Sequence, residues 1–136
     1  MQNKTELLIW LVTILIASTT WTVKAAPQNG KITAGEAEIK QDNKTTEIEQ
    51  TTKKAAIDWQ QFGLKADEVV NFKQPGKDAI TLNRVVGSEK SVINGLLKAD
   101  GQVWVLNSSG VIFGQDGVVK TSGLLASTKE MSNQEF

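Results

Sequence analysis

Apolar residues in this chain fall into one long run near the start and many short runs after it. Leu7–Ala17 (LLIWLVTILIA) is an uncharged stretch preceded by Lys4 and followed by polar residues from Ser18 to Lys24. Its 11 residues at about 1.5 Å each cannot cross a hydrocarbon core of roughly 30 Å. With Val23-Lys24-Ala25 at its end, the segment reads as a secretory signal peptide over residues 1–26, cleaved near Ala25 or Ala26. An uncleaved membrane anchor is the alternative.

Downstream, apolar positions cluster in segments of three to six residues rich in β-branched and aromatic side chains. The segments are Glu36–Lys40, Thr45–Gln50, Ala55–Trp59, Val69–Phe72, Ala79–Asn83, Gln102–Asn107, Val111–Phe113 and Val118–Lys120. Turn dipeptides separate them, among them Asn29-Gly30, Pro75-Gly76, Asn94-Gly95, Asp100-Gly101, Ser109-Gly110 and Asp116-Gly117. Strands this short and this often interrupted predict an all-β architecture. Val103-Trp104-Val105-Leu106 and Val111-Ile112-Phe113 are continuous apolar runs, which suit strands covered on both faces or strands that turn a corner and change which side points inward. A stacked parallel coil has this appearance, because each rung buries its inner face against its neighbours. Glu89–Leu97 is expected to form a turn or at most one helical turn, since Asn94-Gly95 interrupts it. Gln41–Lys54 reads as a disordered linker or an exposed hairpin, and its threonines around Ile48 favour the hairpin.

Composition narrows the function more than the fold. The 136 residues include no cysteine, histidine or tyrosine, and 15 basic side chains balance 15 acidic ones. The length fits one domain. There can be no disulfide framework, no thiolate nucleophile, no histidine-based triad and no His or Cys metal site. Zero net charge argues against general nucleic-acid binding. Asp58, Asp67, Glu68, Asp78, Asp100 and Asp116 are the remaining acid candidates, because parallel β-helices also house calcium-dependent polysaccharide lyases. They show no cluster at rung spacing, so neither catalytic residue, metal nor cofactor is assigned.

From Ala55 onward the order of features becomes specific. Ala56-Ile57-Asp58-Trp59-Gln60-Gln61-Phe62 precedes Glu68-Val69-Val70-Asn71-Phe72, then Ala79-Ile80-Thr81-Leu82-Asn83-Arg84-Val85 and Ile93-Asn94-Gly95-Leu96-Leu97. Asp100-Gly101-Gln102-Val103-Trp104 follows, then Leu106-Asn107-Ser108-Ser109-Gly110-Val111-Ile112-Phe113-Gly114 and Gly123-Leu124-Leu125-Ala126-Ser127-Thr128. This series resembles the amino-terminal secretion (TPS) domain of two-partner secretion exoproteins of the filamentous haemagglutinin family, in the branch of the high-molecular-weight Haemophilus adhesins. The resemblance covers about Thr33 to Phe136, and residues 27–136 are expected to form one domain, truncated at its C-terminal end relative to the family. The family's Asn-Pro-Asn-Gly-Ile/Val signature reads Asn107-Ser108-Ser109-Gly110-Val111 here. Proline presets φ at a turn and serine does not, so a less rigid turn is expected.

The resemblance implies a right-handed parallel β-helix with an N-terminal cap, about five turns long at 20–25 residues per rung. It also implies export by the Sec translocase, trimming by signal peptidase, and recognition by an outer-membrane transporter of the Omp85 superfamily. The product is then extracellular or on the bacterial surface. Trp59, Phe62, Phe72, Trp104 and Phe113 are assigned to the core, against the alternative of a sugar-binding platform for a host surface ligand. Asn107 is left between a structural turn and a transporter contact; Asn71 and Asn83 read as structural. Arg84, the sole arginine, reads as a salt-bridge or rim residue. The rival functions are a directly acting adhesin, a β-helical carbohydrate enzyme and a decayed, non-functional product.

Overall fold

The computed structural model describes residues 26–136; the expected signal peptide lies almost entirely outside them. The described residues form twelve strands: β1 (Lys31–Ala34), β2 (Ala37–Gln41), β3 (Thr45–Gln50), β4 (Lys54–Trp59), β5 (Val69–Lys73), β6 (Ile80–Val85), β7 (Ser91–Ile93), β8 (Leu96–Ala99), β9 (Gln102–Leu106), β10 (Val111–Phe113), β11 (Val118–Lys120) and β12 (Gly123–Ser127). They wind into a parallel coil with three sides. One side stacks β3, β5, β8 and β11, a second stacks β4, β6, β9 and β12, and the third sets β7 on β10 with Leu64 bridged above to Ile93. Thr45 stands over Val69, Val69 over Leu96 and Leu96 over Val118, so a turn takes about two dozen residues.

The coil has about four turns rather than five, because its first strands are used differently. β1 runs antiparallel to β4, and β2 runs antiparallel to β3. Together they cap the upper end, where an open parallel edge would otherwise lie. The hairpin expected in the polar stretch is present as β2–β3. Asp42 closes its tip, accepting from the backbone N–H groups of Lys44 and Thr45; these bonds hold its carboxyl below the usual carboxylate range. The hairpin is not simply exposed: Thr46, Ile48 and Gln50 point into the coil and are buried.

Inner positions repeat from turn to turn. Ala55, Thr81 and Val103 form one buried line, and Ile57, Asn83 and Val105 the next. Trp59, Phe62 and Phe72 are wholly buried, with Trp59 and Phe62 edge to face at 5.7 Å. Gly30 lies on Trp59 so closely that a Cβ there would come within 2.5 Å of the indole, and only glycine fits beneath the cap.

Two assigned core residues are placed otherwise. Trp104 lies in register with Leu82, whose side chain points out of the coil, while its neighbours Val103 and Val105 point in. Phe113 stacks under the buried Ile93 and faces inward, yet it is 40% exposed because no turn of this chain lies beneath it. Glu89–Leu97 also departs from expectation. It supplies β7 and the start of β8, with Asn94-Gly95 as the corner between them. A run this short carries too little periodicity to distinguish strand from helix, and register against neighbouring turns decides.

The outward side of the second sheet has its own apolar cluster. Ala56, Leu82 and Leu106 are buried there, packed by Ala34, Trp104, Met131 and Phe136. The cover is the irregular segment 128–136, which folds back up the coil. Phe136 meets Trp104 edge to face at 5.6 Å.

Most of the exposed large apolar side chains lie on the last strands: Ile112, Phe113, Val118, Leu124 and Leu125. Charge on such an edge blocks strand addition. The chain should therefore associate with rising concentration. The double variant Val118→Lys/Leu125→Lys should abolish that association in light scattering, with a urea unfolding free energy within about 0.5 kcal/mol of the parent.

Candidate functional site

The motif turn follows β9 directly. Asn107 arrives at the end of an extended strand, and Gly110 N donates to Asn107 O at 2.9 Å, closing a four-residue turn. Asn107 Oδ1 accepts from Ser109 N at 2.9 Å, the side-chain-to-backbone bond that Asn makes two residues on. Gly110 carries φ +113°, a backbone that side-chain-bearing residues rarely adopt. The chain then enters β10 through Val111.

Asn107 is 1% exposed and all of its polar side-chain atoms are bonded. Its Nδ2 donates to Glu89 O at 2.9 Å and to Ser91 Oγ at 3.0 Å. Ser109 Oγ donates to Ser88 O at 2.8 Å. The turn is thus tied to the loop that feeds β7 on the turn above. Ser108 is exposed, Gly110 and Val111 are half-buried, and Val111 packs against the core cluster. The expected loss of rigidity is offset in part, because the Ser109 hydroxyl makes a bond of its own. Beside the turn lies a half-open groove of about 490 Å³ whose lining includes Val86, Leu106, Ser108, Lys129 and Met131.

The other polar candidates are absorbed by the architecture. Asn83, fully buried, accepts from Trp59 Nε1 at 2.9 Å and donates to Trp104 O and Thr81 O. Asn71 sits half-buried between Glu47 and Lys98 in the ladder. Arg84 Nε meets Asp58 Oδ1 at 2.7 Å. Asp67 pairs with Lys44 at 2.6 Å, a bond that lowers its carboxyl below the ordinary range. Glu68 accepts from Lys65 N, and Asp100 from Gln74 N. The candidate acids are thus dispersed, and among the described residues no three acids converge on one point. The proposed sugar platform loses Trp59, Phe62 and Phe72 to the interior.

Two networks escaped the sequence reading. Gln50, Thr81 and Gln74 form a buried chain in which Thr81 Oγ1 donates to Gln50 Oε1, Gln74 Nε2 donates to Thr81 Oγ1, and Gly101 N donates to Gln74 Oε1. The second is in Ser132-Asn133-Gln134-Glu135, which has the capping-box spacing. Ser132 N donates to Glu135 Oε2, and Glu135 N donates to Ser132 Oγ. The Ser132 donors hold the Glu135 carboxyl below its ordinary range.

The candidate residues thus build a capped parallel coil. Comparison with known proteins makes the class specific. Residues 23–136 match the TPS secretion domain family, and the chain belongs to it. It is 33% identical over 121 residues to a heme/hemopexin-binding protein of Haemophilus influenzae, covering 89% of this chain and 13% of that protein. A second Haemophilus influenzae protein of the same description is 39% identical over 107 residues, covering 77% of this chain and 11% of the other. The crystal structure of the HMW1 secretion domain from Haemophilus influenzae superposes with a TM-score of 0.76 at 32% identity, over 80% of this chain and 29% of that one. The fold is therefore the right-handed parallel β-helix of that domain. The chain is the TPS secretion domain of a two-partner secreted protein, a class that works with an outer-membrane transporter and is exported across the outer membrane. It spans about an eighth or less of the curated relatives' length.

Two substitutions measure the motif turn. Asn107→Ala should cost about 2 kcal/mol in urea unfolding, since Ser91 Oγ and Ser109 N lose their partner. Ser108→Pro should add about 0.5 kcal/mol, because Ser108 N makes no backbone bond and proline restricts the unfolded chain.

Proposed function

We propose that this chain is a non-catalytic secretion module. In extended form, after Sec export and removal of residues 1–26 by signal peptidase, it docks on the periplasmic domains of an Omp85-superfamily transporter. It coils once outside and offers the next segment of its polypeptide an edge on which to pair. The observation that carries this reading is the state of Asn107. In the finished coil its side chain is buried and consumed by three bonds. A transporter that reads this residue must therefore meet it before the turn closes. Export and folding then follow in one order, and each added turn hinders backsliding, because unwinding would expose buried apolar surface and break backbone bonds.

The heme that the relatives' description mentions would find few axial ligands in this segment. The chain has no histidine, cysteine or tyrosine, the usual axial ligands of heme besides methionine. Of its two methionines, Met131 packs on the outer cluster.

The test is secretion with a cognate transporter, comparing Asn107→Ala with Asn83→Ala. Asn83 is equally buried and multiply bonded but lies outside the motif. Asn107→Ala should lower protein in the culture supernatant about tenfold while signal cleavage continues, and Asn83→Ala much less. Equal losses for the two would show that export tracks stability alone and would remove Asn107 from recognition.

A further inference from the structure

Residues 128–136 form no strand, yet they reach the first strands of the coil. Lys54 Nζ donates to Phe136 O at 2.6 Å across 82 positions and lies 5.2 Å from the Phe136 ring centroid. Asn133 Nδ2 donates to Thr33 O at 3.2 Å across 100 positions. Arg84 is the bolt. Its Nε binds Asp58, its Nη2 donates to Thr33 Oγ1 at 2.9 Å, and its Nη1 donates to Met131 O at 3.1 Å. One guanidinium thereby joins β6, β4, β1 and the returning segment, a use of its rigid fork that lysine could not reproduce.

We infer that residues 128–136 are a latch that docks after the turns it covers have stacked and holds those turns shut. The surface it covers does not exist until several turns have stacked. Ala56 comes from β4, Leu82 from β6, and Trp104 and Leu106 from β9, so the receptor for Met131 and Phe136 is assembled from three successive turns. The latch itself needs no such help. The reciprocal Ser132–Glu135 bonds and the Phe136 N to Ser132 O bond at 3.2 Å build its turn from local residues. That turn aims Phe136 at Trp104. A preset segment meeting a late-formed surface makes contacts absent from the transition state for coiling. Such contacts act on unfolding and leave folding alone. In export, resting on the secretion reading above, the latch would close only after the chain through Phe136 has emerged, and would then slow unwinding.

The experiment is urea-jump kinetics on the full 136-residue chain, followed by far-UV circular dichroism, for Phe136→Ala and Met131→Ala. Both variants should unfold about tenfold faster than the parent and refold within about 1.5-fold of its rate. Arg84→Gln serves as the contrast: it also breaks the bond to Asp58 between adjacent turns, and it should slow refolding as well. An unfolding rate unchanged in both Phe136→Ala and Met131→Ala would overturn the latch. So would a refolding rate that falls as much as unfolding rises, since the segment would then dock before the coil is built. No transporter enters this measurement, so its outcome is independent of whether the chain is recognised at Asn107.

Discussion

From β5 onward each strand of this coil finds backbone partners on the turn before it, and everything else in the molecule is arranged around that dependence. Strands of three to six residues cannot persist alone, so register must be fixed from above. Inner side chains then recur in vertical lines, and a polar residue placed in such a line must be satisfied by its own turn or an adjacent one. Asn83 meets that demand between Ile57 and Val105 by bonding Trp59, Thr81 and the backbone of Trp104. The Gln50–Thr81–Gln74 chain does the same along another corner. A slip of one residue would turn both networks to the outside. Buried polar groups here specify which residue stacks on which, a task that apolar lines of similar volume perform poorly.

The second sheet carries a further constraint, since it is apolar on both faces. Its inner face fills the coil, and its outer face presents Ala56, Leu82 and Trp104 in one line, continued by Leu125. The first three are covered by β1 and by the returning segment. The first sheet has no such cover and needs none. Its outward positions include Glu47, Glu49 and Lys73, with Lys40 of the hairpin paired to Glu49 and Lys73 to Glu47. These exposed pairs contribute little to stability, and their value is in keeping that face wet.

Much of this was legible in the residues. Short β-rich runs between turn dipeptides located most strands; the unbroken run Val103–Leu106 is covered on two faces, whereas Val111–Phe113, read the same way, is open at Ile112 and Phe113. What stayed hidden depended on neighbours distant in sequence. β8 and β12 carry no β-branched residue and are strands because β5 and β9 hold them in register. Trp104 and Trp59 look alike in sequence, yet strand parity sends one outward and the other inward. Phe113 has an inward position but no turn beneath it. Ser132–Glu135 did have a readable signal, the capping-box spacing, but nothing local announces that its turn serves to cover another surface.

In the proposed secretion reading, one side chain of the motif turn serves in two states. Proline at the second position would shape the turn in the unfolded chain; serine leaves that chain freer, so the folded turn must be held by tertiary bonds. Asn107 reaches Glu89 and Ser91, and Ser109 reaches Ser88, all on the turn above. Here the turn is defined by coiling rather than before it. The unfolded segment therefore presents Asn107 on a flexible chain with its amide free for a partner, and stacking withdraws that amide. On the secretion reading proposed above, recognition and folding compete for the same donor and acceptor, and the side of the membrane that the preceding turn has reached settles the competition.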